Sequence, residues 1–187
     1  MGLLLRPSDW IVRWSHLLPP HGTVLDVACG AGRHVRWFAQ RGYRVTGIDQ
    51  NMAHGEPIKA ANATWVCADI ENGPWPLLHN GNPQVFDAVI VTNYLWRPLL
   101  DTLIASVAPG GVLLYETFTS GNEAVGRPTR PDFLLQAGEL LQRCSALQVV
   151  AYENGYLEHP PRFVQRIAAV RPPTAASDPL NPTRYPL

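Results

Sequence analysis

The residues with the clearest chemical purpose lie in one run, Val24-Leu25-Asp26-Val27-Ala28-Cys29-Gly30-Ala31-Gly32-Arg33-His34. Ala28, Gly30, Ala31 and Gly32 are small, so a ligand can approach the backbone without meeting bulky side chains. The run leads into a helical pattern, whose first N–H groups have no partner within the helix. The negative charge of Asp26 repels phosphate there and suits a ligand with a cationic ammonium or sulfonium group. Two more acids recur at strand ends. Asp49, 19 residues after Gly30, can accept both hydroxyl protons of a ribose. Asp69 can accept from the exocyclic amino group of a purine, with Ile70 packing on the ring. The alternative for each is a solvated strand-end or helix-capping aspartate.

Other nucleotides fit less well. A dinucleotide fingerprint needs a third glycine, and Gly30-Ala31-Gly32 is followed by Arg33-His34-Val35. No G-K-[ST] phosphate loop is present. Cys29 sits in the turn as a small buried thiol. His34 either faces the ligand or caps helix charge.

These residues need a scaffold that brings strand ends together. Thr23-Val24-Leu25-Asp26-Val27, Arg44-Val45-Thr46-Gly47-Ile48-Asp49 and Trp65-Val66-Cys67-Ala68-Asp69 read as strands, as do residues 86–91 and 112–118. Helical spacing covers residues 8–18, capped by Ser8, residues 33–41 before Gly42, and residues 98–107. Residues 50–63 hold one imperfect helix at most. Strand, glycine turn and helix in repetition specify a parallel sheet with crossover helices. Apolar runs without alternation mark strands covered on both faces. Beyond a polar loop at 119–131, residues 132–144 read as a helix. Residues 147–153 and 162–170 then form two strands, separated by Asn154-Gly155 and His159-Pro160-Pro161, that must pair antiparallel.

The chain of 187 residues is 46% hydrophobic, with 15 basic and 15 acidic side chains and a sequence pI near 7.0. That composition supports one packed domain and supplies no field for a nucleic-acid backbone. The cations are arginines except for Lys59. Cys29, Cys67 and Cys144 form no C-x-x-C pair, and the histidines lack ligand spacing, so no disulfide framework or metal site is expected. Met1 to Leu5 is too short an apolar run for a signal peptide, and no stretch approaches the roughly 20 apolar residues of a membrane helix. A reducing, cytoplasmic setting is expected. Five prolines between residues 171 and 187 indicate a loose tail.

Asp26 to Gly32, Asp49, Asp69 and the Phe86-Asp87-Ala88-Val89 strand resemble the class I S-adenosylmethionine-dependent methyltransferases, over roughly residues 8–171. Within that class the chain is similar to small bacterial members akin to the tellurite-resistance methyltransferases. That likeness rests on Tyr115-Glu116-Thr117-Phe118, Gly121-Asn122-Glu123, Gly126-Arg127-Pro128 and Pro131-Asp132-Phe133-Leu134-Leu135. The resemblance implies an α/β fold with a doubly wound, seven-stranded, mostly parallel Rossmann-like sheet and an antiparallel last strand. A methyltransferase domain would span residues 1–171 with its N-terminal helix, and residues 172–187 would form the Pro-rich tail. It also implies S-adenosylmethionine as cofactor and S-adenosylhomocysteine as product. Asp26, Ala28, Cys29, Gly30 and Gly32 would meet the methionine portion, Asp49 and Gln50 the ribose, and Asp69 with Ile70 the adenine. Thr92 and Asn93 would line the methionyl side. Ala28 stands where many members carry glycine.

Acceptor-side candidates follow strands four and five, whose ends face the same crevice. Arg97 either clamps an anionic group or starts a helix as a surface arginine. Tyr94 and Trp96 either wall the acceptor or pack the core. Glu116 either pairs with a loop arginine or accepts a proton. Arg127 belongs to the polar loop, a candidate lid. Trp10 and Trp14 either pack on the sheet or close the cofactor pocket. The expected partner is a small molecule rather than nucleic acid or membrane. Two alternatives stand beside this reading: an NAD-dependent oxidoreductase on a similar sheet, opposed by the missing glycine and Asp26, and a non-catalytic S-adenosylmethionine-binding module.

Overall fold

Every even-numbered residue of the first strand turns to one side of the sheet and every odd one to the other, and both sides are covered. A computed structural model describes residues 6–51, 60–174 and 183–187. The expectations for Met1 to Leu5, and most of those for residues 50–63 and the tail, lie outside the described residues. Helix α1 (Asp9–Trp14) opens on Ser8, whose hydroxyl accepts the Trp10 N–H. Then come β1 (Thr23–Val27), α2 (Arg33–Ala39), β2 (Arg44–Asp49) and β3 (Ala63–Cys67). A two-residue hairpin, β4 (Leu78–His79) with β5 (Asn82–Pro83), sits in the Gly/Pro/Asn-rich loop, where no strand was expected. Next are β6 (Phe86–Thr92), α3 (Leu100–Ala105), β7 (Val107–Phe118), α4 (Glu139–Arg143), β8 (Gln148–Glu158) and β9 (Pro161–Val170).

Seven strands form one sheet in the order β3-β2-β1-β6-β7-β9-β8. The first five pair parallel, and β9 runs antiparallel between β7 and β8. This is the seven-stranded α/β sheet with an antiparallel last strand that the sequence implies. The order reverses beside β1, which opens a crevice at the ends of β1 and β6. Asp87 fixes their register from the far end: its Oδ2 accepts the Thr23 amide at 2.7 Å and the Thr23 hydroxyl at 2.8 Å.

On one face Leu25, Val27, Val89, Val91, Leu113 and Tyr115 pack with Leu100, Leu103 and Leu140 of α3 and α4. On the other Val24, Ala88, Ile90, Val112 and Leu114 pack with Trp10, Trp14, Val35 and Phe38 of α1 and α2. Trp10 and Trp14 are thus core residues, and the Trp10 indole donates to the Ile167 carbonyl at 3.2 Å. Among the described residues no helix is long and apolar enough to cross a membrane.

Three elements depart from expectation. Strand β3 ends at Cys67, so Asp69 lies in the following turn and not on the strand. The helix expected over 132–144 is broken. Leu135 bridges to Thr119 in extended conformation, and Gly138 at φ +79° restarts the chain into the five-residue α4. Asn154-Gly155 does not separate strands, because β8 runs through it and the turn falls at His159-Pro160.

Gly32 combines a left-handed φ of +72° with a close approach. A Cβ there would stand 2.0 Å from Trp65 Cη2, whereas Gly30, at φ +53°, has nothing within 4 Å. Gly32→Ala is therefore expected to cost at least about 2 kcal/mol by clash and strain, against about 1–2 kcal/mol of strain for Gly30→Ala. Urea denaturation of the two variants checks the difference, and equal losses would remove Trp65 from the explanation.

Candidate functional site

The turn after β1 is held on all sides. Cys29 N–H donates to the Ile48 carbonyl at 3.0 Å, and Gly32 N–H to the Cys29 carbonyl at 2.9 Å. From α2, Arg36 donates to the Ala31 carbonyl, and Arg33 to the Thr92 hydroxyl at 3.2 Å. Ala28 sits at φ +50°, the left-handed conformation that glycine adopts without strain. Burial, then the charges of Asp26 and Asp49, push the Cys29 thiol pKa up, so it is no nucleophile.

Asp49 reaches across to this turn. Its Oδ2 accepts the Gly30 amide at 2.8 Å and its Oδ1 the Asn51 amide at 2.9 Å. A carboxylate oxygen carries two lone pairs, so each keeps one. Asp69 organises its own turn. Oδ1 accepts the amides of Glu71 and Asn72, each at 3.0 Å, and Oδ2 accepts the Asn72 side-chain amide at 3.0 Å. Those bonds, the Asn72 side chain first, hold its carboxyl below the usual range. Ala28, Asp49, Gln50, Asp69, Ile70 and Tyr94 line one cavity of about 160 Å³, with Glu71 beside them.

Tyr94 thus shares its cavity with residues expected on the cofactor side. The Tyr115 hydroxyl donates to the Tyr94 carbonyl at 2.9 Å and fixes this segment. Burial of the Tyr94 hydroxyl, followed by the charge and hydrogen bonding of the Glu71 carboxylate, pushes its pKa up.

A larger cavity, of about 670 Å³, opens at the same end of the sheet. Asn93, Glu116 and Arg127 line it, together with Ser8, Arg33 and Arg162. Asn93 has φ +55°, and its N–H donates to the Glu116 carbonyl at 2.9 Å.

Behind both cavities runs a buried polar string. Asp26, Glu116 and Arg166 are even-numbered residues of β1, β7 and β9 and project to the α1/α2 face, where Ser8 and His34 meet them. Ser8 N–H donates to His34 Nε2 at 3.1 Å, so the His34 proton is on Nδ1, which faces Asp26 Oδ1 at 3.6 Å. The Ser8 hydroxyl donates to Glu116 Oε1 at 3.0 Å, and Arg166 pairs with Glu116 Oε2 at 3.1 Å. Asp26 is 1% exposed and Glu116 3%. Glu116 therefore has its partner on β9 and not in the 119–131 loop. Ser8 was read only as a helix cap, and Arg166 was missed. A charged residue in the middle of β9, facing a strand that carries a lone glutamate, is the available signal.

Arg97 is committed to partners within the protein. Its guanidinium takes both oxygens of Glu139, at 2.8 and 2.9 Å, and the carbonyls of Asp132 and Leu134, each at 2.8 Å. It ties the irregular 131–139 segment to the start of α3.

With this geometry described, likeness to known proteins becomes informative. Residues 24–111 match the family model described as a methyltransferase domain. Over 107 residues the chain is 32% identical to a malonyl-[acyl-carrier protein] O-methyltransferase of Salmonella typhimurium, covering 54% of this chain and 40% of that protein. Among solved structures, TehB from Haemophilus influenzae superposes with a TM-score of 0.69 at 19% identity, over 88% of this chain and 62% of that one. The N-methyltransferase NodS from Bradyrhizobium japonicum gives 0.61 at 18% identity, over 86% and 93%. Coclaurine N-methyltransferase bound to N-methylheliamine and S-adenosylhomocysteine gives 0.58 at 17% identity, over 79% and 49%. The fold is the doubly wound α/β sheet that these methyltransferases share. Residues 24–111 are similar to methyltransferase domains.

Two outcomes follow from these contacts. Ser8→Ala removes a helix cap and a hydrogen bond to a buried carboxylate, and is expected to cost about 2–4 kcal/mol in urea denaturation. A loss below 1 kcal/mol would mean that water replaces Ser8. For Glu139, burial alone would raise the pKa, but the bonds from Arg97 and from the Gln136 amide leave it lowered from 4.5. Its stabilising contribution is then complete above pH 4.5 and disappears as pH falls through the lowered folded value. Arg97→Met should flatten that acid dependence of Tm.

Proposed function

We propose that the protein transfers a methyl group from S-adenosylmethionine to a small molecule held in the larger cavity, releasing S-adenosylhomocysteine. One observation above all supports this reading. The cavity containing Asp49 and the larger polar cavity are lined by consecutive residues, Tyr94 and Asn93, just beyond β6. A donor in the first and an acceptor in the second would therefore meet at the end of that strand.

The residues present fit the donor. Asp49 keeps two lone pairs for a vicinal diol, and the space beside Gly30 is open. Ile70 and the Tyr94 ring offer apolar surface to a purine. Asp69 has a single Oδ2 lone pair left for an exocyclic amine, so its share there is smaller than that of Asp49. Asp26 acts through space: both its carboxylate oxygens are enclosed without a hydrogen-bond partner, and in a low-dielectric surrounding its field reaches a cation beyond the turn.

When bound, the cofactor supplies an electrophilic methyl group on a sulfonium. The protein's part is to align the acceptor for in-line displacement and to keep water out. Glu116, fixed by Ser8 and Arg166, offers its remaining lone pairs to an acceptor O–H or N–H and so orients the nucleophile. Thr92 and Arg33 brace the wall between the glycine turn and β6.

Asp49→Ala removes two hydrogen bonds to the ribose and is expected to weaken S-adenosylmethionine binding about 10- to 100-fold by isothermal titration. Asp49→Asn should fall between the variant and the wild type. Unchanged affinity in Asp49→Ala, with Tm confirming a folded protein, would overturn the ribose assignment.

A further inference from the structure

Four arginines, Arg6, Arg33, Arg127 and Arg162, line the larger cavity. Two of them are engaged: Arg6 pairs with Asp9 at 3.0 Å, and Arg33 donates to Thr92. Arg127 and Arg162 have no ion-pair or hydrogen-bond partner among the described residues. The acids of the same wall are already committed, Asp9 to Arg6 and Glu116 to Arg166.

One buried side chain brings the two unpaired cations together. Asn122, 1% exposed, donates through Nδ2 to the Pro128 carbonyl at 3.1 Å and accepts the Phe163 amide on Oδ1 at 3.2 Å. Pro128 follows Arg127 and Phe163 follows Arg162, so a single amide group cross-links the residue after each arginine. Gly121 tightens the same junction. It lies at φ +103°, where a Cβ would stand 3.1 Å from the Phe163 ring. Two guanidinium groups lining one cavity without partners repel each other unless an anion lies between them. The arginine fork matches a planar or tetrahedral oxyanion in bidentate fashion.

We infer that the methyl acceptor carries an oxyanionic group, carboxylate or phosphate, gripped by Arg127 and Arg162 while its nucleophilic end lies toward Glu116 and Asn93. The inference rests on the reading of this cavity as the acceptor's. It assigns the substrate class from the loop before the 131–139 segment and the start of β9, and not from Arg97.

The test uses the full chain, with malonate and inorganic phosphate as probes and malonamide as the uncharged control, at constant ionic strength in chloride. Binding is followed by NMR of the arginine Nε–H signals, with and without S-adenosylhomocysteine. At least one anion is expected to bind saturably where malonamide does not. Arg127→Met and Arg162→Met should each weaken that binding about tenfold or more, through loss of a charge-assisted pair. Arg127→Lys should retain part of it, and the distant Arg41→Met should match wild type. Should both anions bind no better than malonamide, or both Met variants bind like wild type, the inference is overturned. S-adenosylhomocysteine affinity is titrated in parallel on the same proteins. If it fails to bind at all, the methyltransferase reading falls, while the anion titration without it still decides the arginine site.

Discussion

Two carboxylates, Asp26 and Glu116, lie inside the apolar layer between the sheet and helices α1 and α2, and this constraint organises the rest. A buried charge is costly unless partners surround it. Those partners come from elements distant in sequence: Ser8 from the cap of α1, His34 from α2 and Arg166 from β9. Helix α1 must therefore start where Ser8 can donate its amide to His34 and its hydroxyl to Glu116. Strand β9 must hold the register that sets Arg166 opposite Glu116. The cation also lies over the Trp10 ring, 4.8 Å from its centroid, so the string joins the apolar packing of α1 instead of interrupting it. The docking of the N-terminal segment, the sheet order and the floor of the larger cavity follow from one set of hydrogen bonds.

Asp26 is left with little direct compensation. His34 shows it an N–H at 3.6 Å, beyond a normal hydrogen bond, and neither oxygen has another partner. An incompletely compensated charge under a glycine turn is a standing negative potential at the mouth of β1.

What was legible in the sequence is what depends on near neighbours. Strands β1 and β2 fall on their expected residues because apolar runs, a glycine turn and a terminal acid all act within a few positions. Asp49 bonds Gly30 across one strand–helix–strand unit, and its place followed from that spacing. Partners set by tertiary geometry were not legible. Arg97 reads equally as a ligand clamp or a helix start until Glu139 is seen 2.8 Å away. Tyr94 joins the cavity of Asp49 and Asp69, and Tyr115, 21 residues on, holds its carbonyl. The helix expected over 132–144 breaks because Leu135 gains more from bridging to Thr119 than from continuing a turn, a choice no local pattern records.

The two cavities differ in how the chain builds them, and the difference accounts for what resemblance can reveal. The smaller one draws its residues from 28 to 94, a continuous stretch inside the 24–111 match. The larger one draws on residues 6–9, 116–127 and 159–162, nearly all outside that match, with Arg33 and Asn93 as its links to the cofactor side. The spacing of Gly30, Asp49 and Asp69 lies inside that match and can be recognised in one chain from another. An acceptor sets no such common spacing. The larger cavity is built by contacts such as Asn122 to Phe163, 41 positions apart, which carry information only once the sheet has formed. The smaller cavity is therefore legible from resemblance, and the larger one has to be read from the cations and carboxylates that the folded chain brings together.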